Sequence, residues 1–342
     1  MEYRQLGRTG VRVSKLCLGT MSYAGRTDQD EASRIVDVAI DAGINHIDTA
    51  DVYARGESEV YVGNALAANG RRDEIVLATK GVATMGPGPN DHGASRYHLT
   101  RAVEASLKRL QTDRIDLFYL HIVDITTPLD EAFGQLDVLV RQGKILYVAT
   151  SKWPVPLIME ALAVSEKYGY PRIVAEQPPY NLCDRGIEME LVWTCLRHGI
   201  GLVTWGPLAS GLLSGTYRKG QPLPEGHRWS NADPETNKRF THAALDVVEA
   251  LIPIAQAKSI DLPTLAQAWV MQRPGITSPI CGPRTVEHLR AALKACDVAF
   301  TQDELAQIDA IIPPGTWASD YYYGNTYAHM VRSAEHLHAL GY

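Results

Sequence analysis

Leu18-Gly19-Thr20-Met21-Ser22-Tyr23-Ala24-Gly25 is the first place where an apolar run gives way to a helical pattern. In an open, doubly wound α/β sheet this first strand-to-helix turn carries G-x-G-x-x-G, whose glycines let the backbone close on a pyrophosphate. That fingerprint is missing here. Strand and helix signals nevertheless alternate along most of the chain, so a closed barrel is the expectation. Strand-like runs fall at Val13–Gly19, His46–Ala50, Ile75–Lys80, Ile115–His121, Ile145–Ser151, Ile173–Pro178, Gly201–Gly206 and Thr277–Gly282. Most are continuously apolar, as suits strands covered on both faces of a parallel sheet. Their repetition, mostly at intervals of about 30 residues, matches the α/β class and a (β/α)8 TIM barrel.

Amphipathic helices fill the gaps. Ala32, Ile35, Val36, Ala39 and Ile40 form one stripe, opened by Asp28 with Glu31 at capping-box spacing. Leu99, Val103, Leu107 and Leu110 form a second; Leu129, Phe133, Leu136 and Val140 form a third, with Thr127 as N-cap and Pro128 as first helical residue. Thr301 and Glu304 mark a capping box before the final barrel helix. No Pro/Gly/Ser-rich linker divides the 342 residues, so one domain is expected over 1–342, with the barrel at about 13–312 and a C-terminal tail at 313–342. Tyr3–Leu6 and Val11–Val13 read as an N-terminal hairpin around Gly7-Arg8-Thr9-Gly10, placed to plug one barrel end. Gly81–Tyr97 and Pro207–Arg239 are long loops after the third and seventh strands, the latter followed by an extra helix near Ala243–Lys258. Loops of that length in a compact domain are usually functional.

Composition narrows the partners. The net charge of −6 comes without any block of like charge, which argues against a nucleic-acid footprint. No apolar run approaches the length of about 18 residues that a membrane span needs. Met1–Gln5 does not lead into a signal-peptide apolar region. Five scattered cysteines without a C-x-x-C pair read as reduced thiols of a cytoplasmic protein, with no metal site.

Barrel chemistry sits where strands end and loops begin. Asp48 ends the second strand, with Tyr53 in its loop; Lys80 closes the third and His121 the fourth. Each has a plain structural reading: a helix cap for Asp48, loop packing for Tyr53, a snorkelling amine for Lys80, a near-core imidazole for His121. Lys80 tips the balance, because an ammonium inside Ile-Val-Leu-Ala-Thr-Lys-Gly demands a carboxylate, and Asp48 on the adjacent strand is the obvious partner. A carboxylate, phenol, ammonium and imidazole thus emerge from neighbouring strands at one barrel end, and their joint occurrence makes the functional reading the stronger one. A nearby ammonium would bring the phenol down towards the working pH.

At these residues the sequence resembles the aldo-keto reductases, in their bacterial branch similar to potassium-channel β subunits. His46-Ile47-Asp48-Thr49-Ala50-Asp51-Val52-Tyr53, Ala78-Thr79-Lys80 and Asp116-Leu117-Phe118-Tyr119-Leu120-His121 carry the likeness. So do Gln177 with Asn181-Leu182, Gly206-Pro207-Leu208 with Gly211-Leu212-Leu213, and Gly282 with Arg284. The resemblance implies NADPH-dependent reduction of an aldehyde or ketone, with NADH as the open alternative. Tyr53 would be the general acid, Lys80 its tuner, Asp48 the partner of Lys80, and His121 the group orienting the carbonyl oxygen. Cofactor residues would be Gly19, Thr20, Met21 and Asp48, with Ser151, Lys152 and Gln177 at the nicotinamide carboxamide. Trp205 would stack on the ring. The backbone of Gly206, Pro207 and Leu208 and of Ser210, Gly211, Leu212 and Leu213, with Lys219 or Arg228, would cradle the pyrophosphate; Gly282 would also meet the cofactor, and Arg284 with His288 the adenosine 2′-phosphate end. Lys152, His288 and Ala292 depart from the family's usual residues.

Competing readings are a Schiff-base lyase acting through Lys80, which leaves Tyr53 unexplained, and a nucleotide-sensing regulatory subunit with slow turnover. Met21, Tyr23, Met85, Trp153 and Trp229 suggest a roomy apolar mouth for bulky or aromatic carbonyls. Trp317 and Tyr321-Tyr322-Tyr323 form an aromatic cluster that must cover something, either the substrate mouth or the interface of a homo-oligomer.

Overall fold

An antiparallel hairpin, β1 (Tyr3–Gln5) and β2 (Arg12–Ser14), opens the computed structural model, which describes residues 1–324 apart from Pro224 and His227. The barrel strands are β3 (Cys17–Gly19), β4 (His46–Asp48), β5 (Val76–Gly81), β6 (Ile115–Leu120), β7 (Ile145–Thr150), β8 (Ile173–Glu176), β9 (Gly201–Leu202) and β10 (Ile280–Cys281). From β3 to β9 each pairs in parallel with its sequence neighbours, and β10 pairs in parallel with β3. The remaining gap is stitched by Thr277 N–H to Leu202 C=O and Ile280 N–H to Thr204 C=O, both 2.8 Å, so the sheet curls into a barrel.

Helices α1 (Gln29–Asp41), α2 (Glu57–Asn69), α3 (Arg96–Leu110), α4 (Leu129–Arg141), α5 (Val155–Tyr168) and α6 (Leu191–His198) follow β3 to β8 in turn. After β9 come α7 (His242–Ala257) and α8 (Leu262–Met271); after β10 come α9 (Val286–Lys294) and α10 (Gln302–Ile311). Their apolar faces, including Ile35, Val36, Leu99, Val103, Phe133 and Leu136, pack on the outer faces of the strands. Among the described residues no helix is long and apolar enough to cross a membrane.

Three local expectations change. The run Val13–Gly19 splits, because the Ser14 hydroxyl donates to Leu16 C=O at 2.7 Å and turns the chain between hairpin and barrel. Asp28 does cap α1 by accepting Glu31 N–H at 2.9 Å, but the box stays open: the Glu31 carboxylate instead accepts Val286 N–H at 2.7 Å. Thr127 does not cap α4. Its hydroxyl donates to Asp124 at 2.8 Å, and Pro128 takes the N-cap position. The Thr301–Glu304 box forms in both directions.

Hairpin and barrel meet at the N-terminal ends of the strands. Leu6 is buried in the barrel interior with Val13, Cys17, Ala78, Leu117, Ala149 and Val203. Gly7 has φ +55°, and a Cβ there would lie 2.4 Å from Val174 O and 2.6 Å from Gly199 O, so only glycine fits.

Side chains alternate faces with a period of two along each strand. The inward rows therefore extrapolate: Ala78 to Lys80, Tyr119 to His121, Ala149 to Ser151, Ala175 to Gln177, Val203 to Trp205. His46 to Asp48 follows the same rule, Ile47 between them packing outward. The ladder persists past the strands, with His121 N–H on Gly81 C=O, Ser151 N–H on Leu120 C=O and Gln177 N–H on Thr150 C=O at 2.8–3.0 Å. One inward layer at the C-terminal end of the barrel thus collects the polar side chains.

Candidate active site

Lys80 is fully buried, and its Nζ donates to Asp48 Oδ1 at 2.5 Å, Thr49 C=O at 2.7 Å and Tyr53 Oη at 3.3 Å. All three ammonium protons are therefore placed. The second Asp48 oxygen accepts from Gln177 Nε2 at 2.8 Å. Burial pulls the Lys80 amine down, but the facing Asp48 carboxylate and Tyr53 phenol outweigh it and hold the amine above its ordinary value. Removing one member of such a buried pair typically costs about 3–5 kcal/mol, because the other charge is stranded.

Tyr53 comes from a turn, not a strand. It opens a single 3₁₀ turn, Tyr53–Gly56, in which Ala54 and Arg55 are left-handed at φ +47° and +57°. Strain of this kind costs about 1–3 kcal/mol per residue and needs support. Gly56, at φ +97°, supplies the reversal, and Arg109 packs so closely on it that a Cβ would lie 2.7 Å from Arg109 Cδ. Arg109 Nε in turn donates to buried Glu59 at 2.6 Å, which also accepts from the Thr79 hydroxyl at 2.6 Å. Nothing in the sequence announces this Gly56–Arg109–Glu59 brace beyond a glycine immediately before a helix. The Tyr53 and His121 rings meet edge-on with centroids 5.9 Å apart. Burial pushes the Tyr53 phenol up, against the pull of Lys80. The expected net lowering of Tyr53 is thus reversed: desolvation outweighs the ammonium, and the phenol stays protonated, fit to donate.

The remaining inward positions lie alongside. The Ser151 hydroxyl is already donated to Gln177 C=O at 2.9 Å. Lys152 sits left-handed at φ +62°, and burial with repulsion from Lys80 brings its amine down to about 8, against Glu176. Glu176 is itself pushed up to about 7 by burial, while the Thr150 hydroxyl (2.5 Å) and Trp153 N–H (3.1 Å) hold it. Trp205 is half-buried beyond β9.

The loop after Trp205 is a chain of left-handed residues: Gly206, Ala209, Ser210, Gly211 and Gly215, at φ +73°, +48°, +55°, +97° and +78°. A Cβ built on Gly206, Gly211 or Gly282 would meet nothing within 4 Å, so these backbones face open space that a dinucleotide can occupy. With Trp205 beside them, the residues present fit a nicotinamide cofactor at its nicotinamide and pyrophosphate portions. Pro207 is buried and Leu208 half-buried in the same turn.

Other expected contacts are engaged elsewhere. Gly19 is needed by the sheet, since a Cβ would lie 2.4 Å from Ile280 Cγ2. The buried Thr20 hydroxyl bonds Asp48 C=O at 3.1 Å and the Ser58 hydroxyl at 2.9 Å. Lys219 pairs with Asp246 of α7. Arg228 and Met21 are exposed. Tyr23 and Trp153 lie in the core, and Trp229 stacks on Phe240 with centroids 5.8 Å apart, so the apolar mouth loses these residues as open lining. Arg284 is exposed just before α9, its carbonyl tied to the Thr27 hydroxyl at 3.1 Å. At that helix start Thr285 accepts the His288 N–H and Glu31 the Val286 N–H, so a protein carboxylate already takes the favoured anion position. A 2′-phosphate would have to be met by the Arg284 side chain. His288 is exposed beside it.

The tail is partly inside. Tyr321 and Tyr322 are buried, whereas Trp317 is 47% exposed and packs on Tyr323 at 4.9 Å. Residues 325–342 of the expected tail lie outside the described residues.

A (β/α)8 barrel whose mouth joins a buried lysine–aspartate pair to a tyrosine beside an open glycine-rich loop defines the class of NAD(P)H-dependent carbonyl oxidoreductases. The chain matches the Aldo/keto reductase family over residues 15–313, and it belongs to that family. It is 39% identical over 327 residues to the "Uncharacterized oxidoreductase YrpG" of Bacillus subtilis, covering 92% of this chain and 97% of the relative. It is also 37% identical over 319 residues to a "Probable voltage-gated potassium channel subunit beta" of Arabidopsis thaliana, covering 91% and 97%.

Proposed function

We propose that this protein reduces an aldehyde or ketone to the alcohol with NADPH, Tyr53 giving the proton. The carrying observation is the Tyr53 hydroxyl 3.3 Å from an ammonium that Asp48 and Thr49 hold in place. When bound, the cofactor supplies a hydride. Trp205, Ser151, Gln177 and the Gly206–Gly211 backbone would hold it, with Arg284 at the adenosine end. Tyr53 Oη then passes its proton to the carbonyl oxygen, and the phenolate left behind is stabilised by Lys80, whose charge Asp48 keeps in register. His121, edge-on to Tyr53, hydrogen-bonds the same oxygen and orients it. Lys80 is spoken for by three acceptors, which favours the proton-donor reading over Schiff-base chemistry.

A panel of aldehydes and ketones of graded size, assayed with NADPH and with NADH, tests this. Turnover of at least one carbonyl at a lower KM for NADPH is the expected result; no turnover with either cofactor refutes it. The likeness to channel β subunits supports a second reading, a nucleotide sensor that turns over slowly. A stoichiometric burst followed by negligible steady-state oxidation of cofactor would favour it.

A further inference from the structure

We propose that Tyr321, in the C-terminal segment, is a positioning residue that latches the loop after β9 and so governs cofactor retention; this rests on the nucleotide-binding reading above. The ring is fully buried, edge-on to Trp205 with centroids 6.3 Å apart, and the Arg239 guanidinium lies 4.5 Å from its centre. Its hydroxyl donates to Ala209 C=O at 2.8 Å and is bonded by the Ser210 side chain. Those two residues are the non-glycine members of the left-handed run that presents Gly206 and Gly211. One phenol therefore touches both the strained part of the cradle and the ring expected to stack on nicotinamide.

The latch is itself anchored. Asp184 Oδ2 accepts Tyr321 N–H at 2.7 Å and Tyr322 N–H at 2.6 Å, while Oδ1 accepts Gly186 N–H at 2.9 Å. Ala318 and Ser319 N–H both donate to Cys183 C=O, and the Thr241 hydroxyl donates to Ala318 C=O at 2.6 Å. The segment is thereby stitched to the loop after β8 and to the start of α7, leaving the β9 loop between two fixed walls. A left-handed alanine and serine persist only where their surroundings over-determine them, and the Tyr321 hydroxyl on Ala209 C=O adds to the turn's own backbone bonds.

Tyr321→Phe keeps the ring and removes the hydroxyl. Hydrogen exchange of residues 207–214, measured without nucleotide, should accelerate, and NADPH release followed by fluorescence should quicken about two- to tenfold. The KM for NADPH should rise with the faster release while the melting temperature holds, a split that a general loss of fold would not give. Asp184→Asn, which turns one accepting oxygen into an amide, should loosen the same peptide, while Trp317→Ala on the exposed side should leave it unchanged. Unaltered exchange and release in Tyr321→Phe would overturn the latch. If the wild-type protein binds no nicotinamide nucleotide, the retention role falls with the function assigned above, and the exchange data alone still judge the contact.

Discussion

The two sides of the barrel mouth are built from different materials. On the β4–β6 side, the proposed chemistry would rest on side chains that are buried, paired and placed by strand register, with Lys80 bonded to Asp48, Thr49 and Tyr53. On the β9–β10 side the proposed binding would rest on backbone: left-handed residues, open glycines and a loop held from outside by Tyr321. Chemistry needs a fixed charge pattern, which a rigid ladder provides. Binding and release need a surface that can yield, which a strained loop provides.

The contrast can be broken most forcefully at Tyr53. Tyr53→Phe should cut carbonyl turnover by about 10²–10⁴ while barely moving cofactor affinity, because only the transition state loses a partner. Lys80→Met should cost as much and add little on top, since the two act as one unit. It should also lower the melting temperature by stranding Asp48, and Asp48→Asn in the same chain should restore stability without restoring rate. Independent, additive effects would mean that the two sites do not share a proton-transfer role.

Arg284→Ala sharpens the other side. NADPH affinity should fall about ten- to hundredfold and NADH affinity little, as a charge-assisted contact worth about 1.5–3 kcal/mol implies. Because Glu31 already accepts the Val286 N–H at the start of α9, this preference would fall on the exposed Arg284 side chain. Equal losses for both cofactors would assign Arg284 to the fold.

The smallest effect concerns pH. Burial pushes Glu176 up to about 7 in the folded chain, above its ordinary carboxylate range. Between the two values the native state holds a proton that the unfolded state has lost. Its contribution to stability is therefore full below the unfolded value and falls as pH rises to about 7, at about 1.4 kcal/mol per pH unit. Glu176→Gln can still accept from Trp153 N–H and bond the Thr150 hydroxyl, and should flatten that slope in melts across the window. Parallel pH profiles for variant and parent would show that Glu176 titrates normally.

Legibility followed the same divide. Asp48, Lys80, His121, Ser151, Gln177 and Trp205 are legible at strand ends because the apolar runs stop there and a buried ammonium demands a nearby carboxylate. The barrel itself followed from repeated apolar runs and a missing glycine fingerprint. Backbone conformation leaves no comparable trace: nothing in Ala209-Ser210 announces two left-handed residues, and the brace of Gly56 by Arg109 spans distant segments. Gly19, Thr20 and Lys219 were assigned to the cofactor by resemblance. In the structure their side chains, or the lack of one, also answer to Ile280, Ser58 and Asp246.

The hairpin plug sets a constraint on assembly. Leu6 and Gly7 find their partners around Val174 and Gly199–Gly201, and β3 finds its outer neighbour only when Ile280 and Cys281 arrive. During synthesis this stave must wait, with one edge unpaired, until β10 has emerged. The six-residue strands β5, β6 and β7, whose pairings are sequential, are ready long before. Long-range closure of this sort is slow and leaves intermediates prone to sticking. The earliest barrel strand, β3, is thus among the last to gain both of its neighbours.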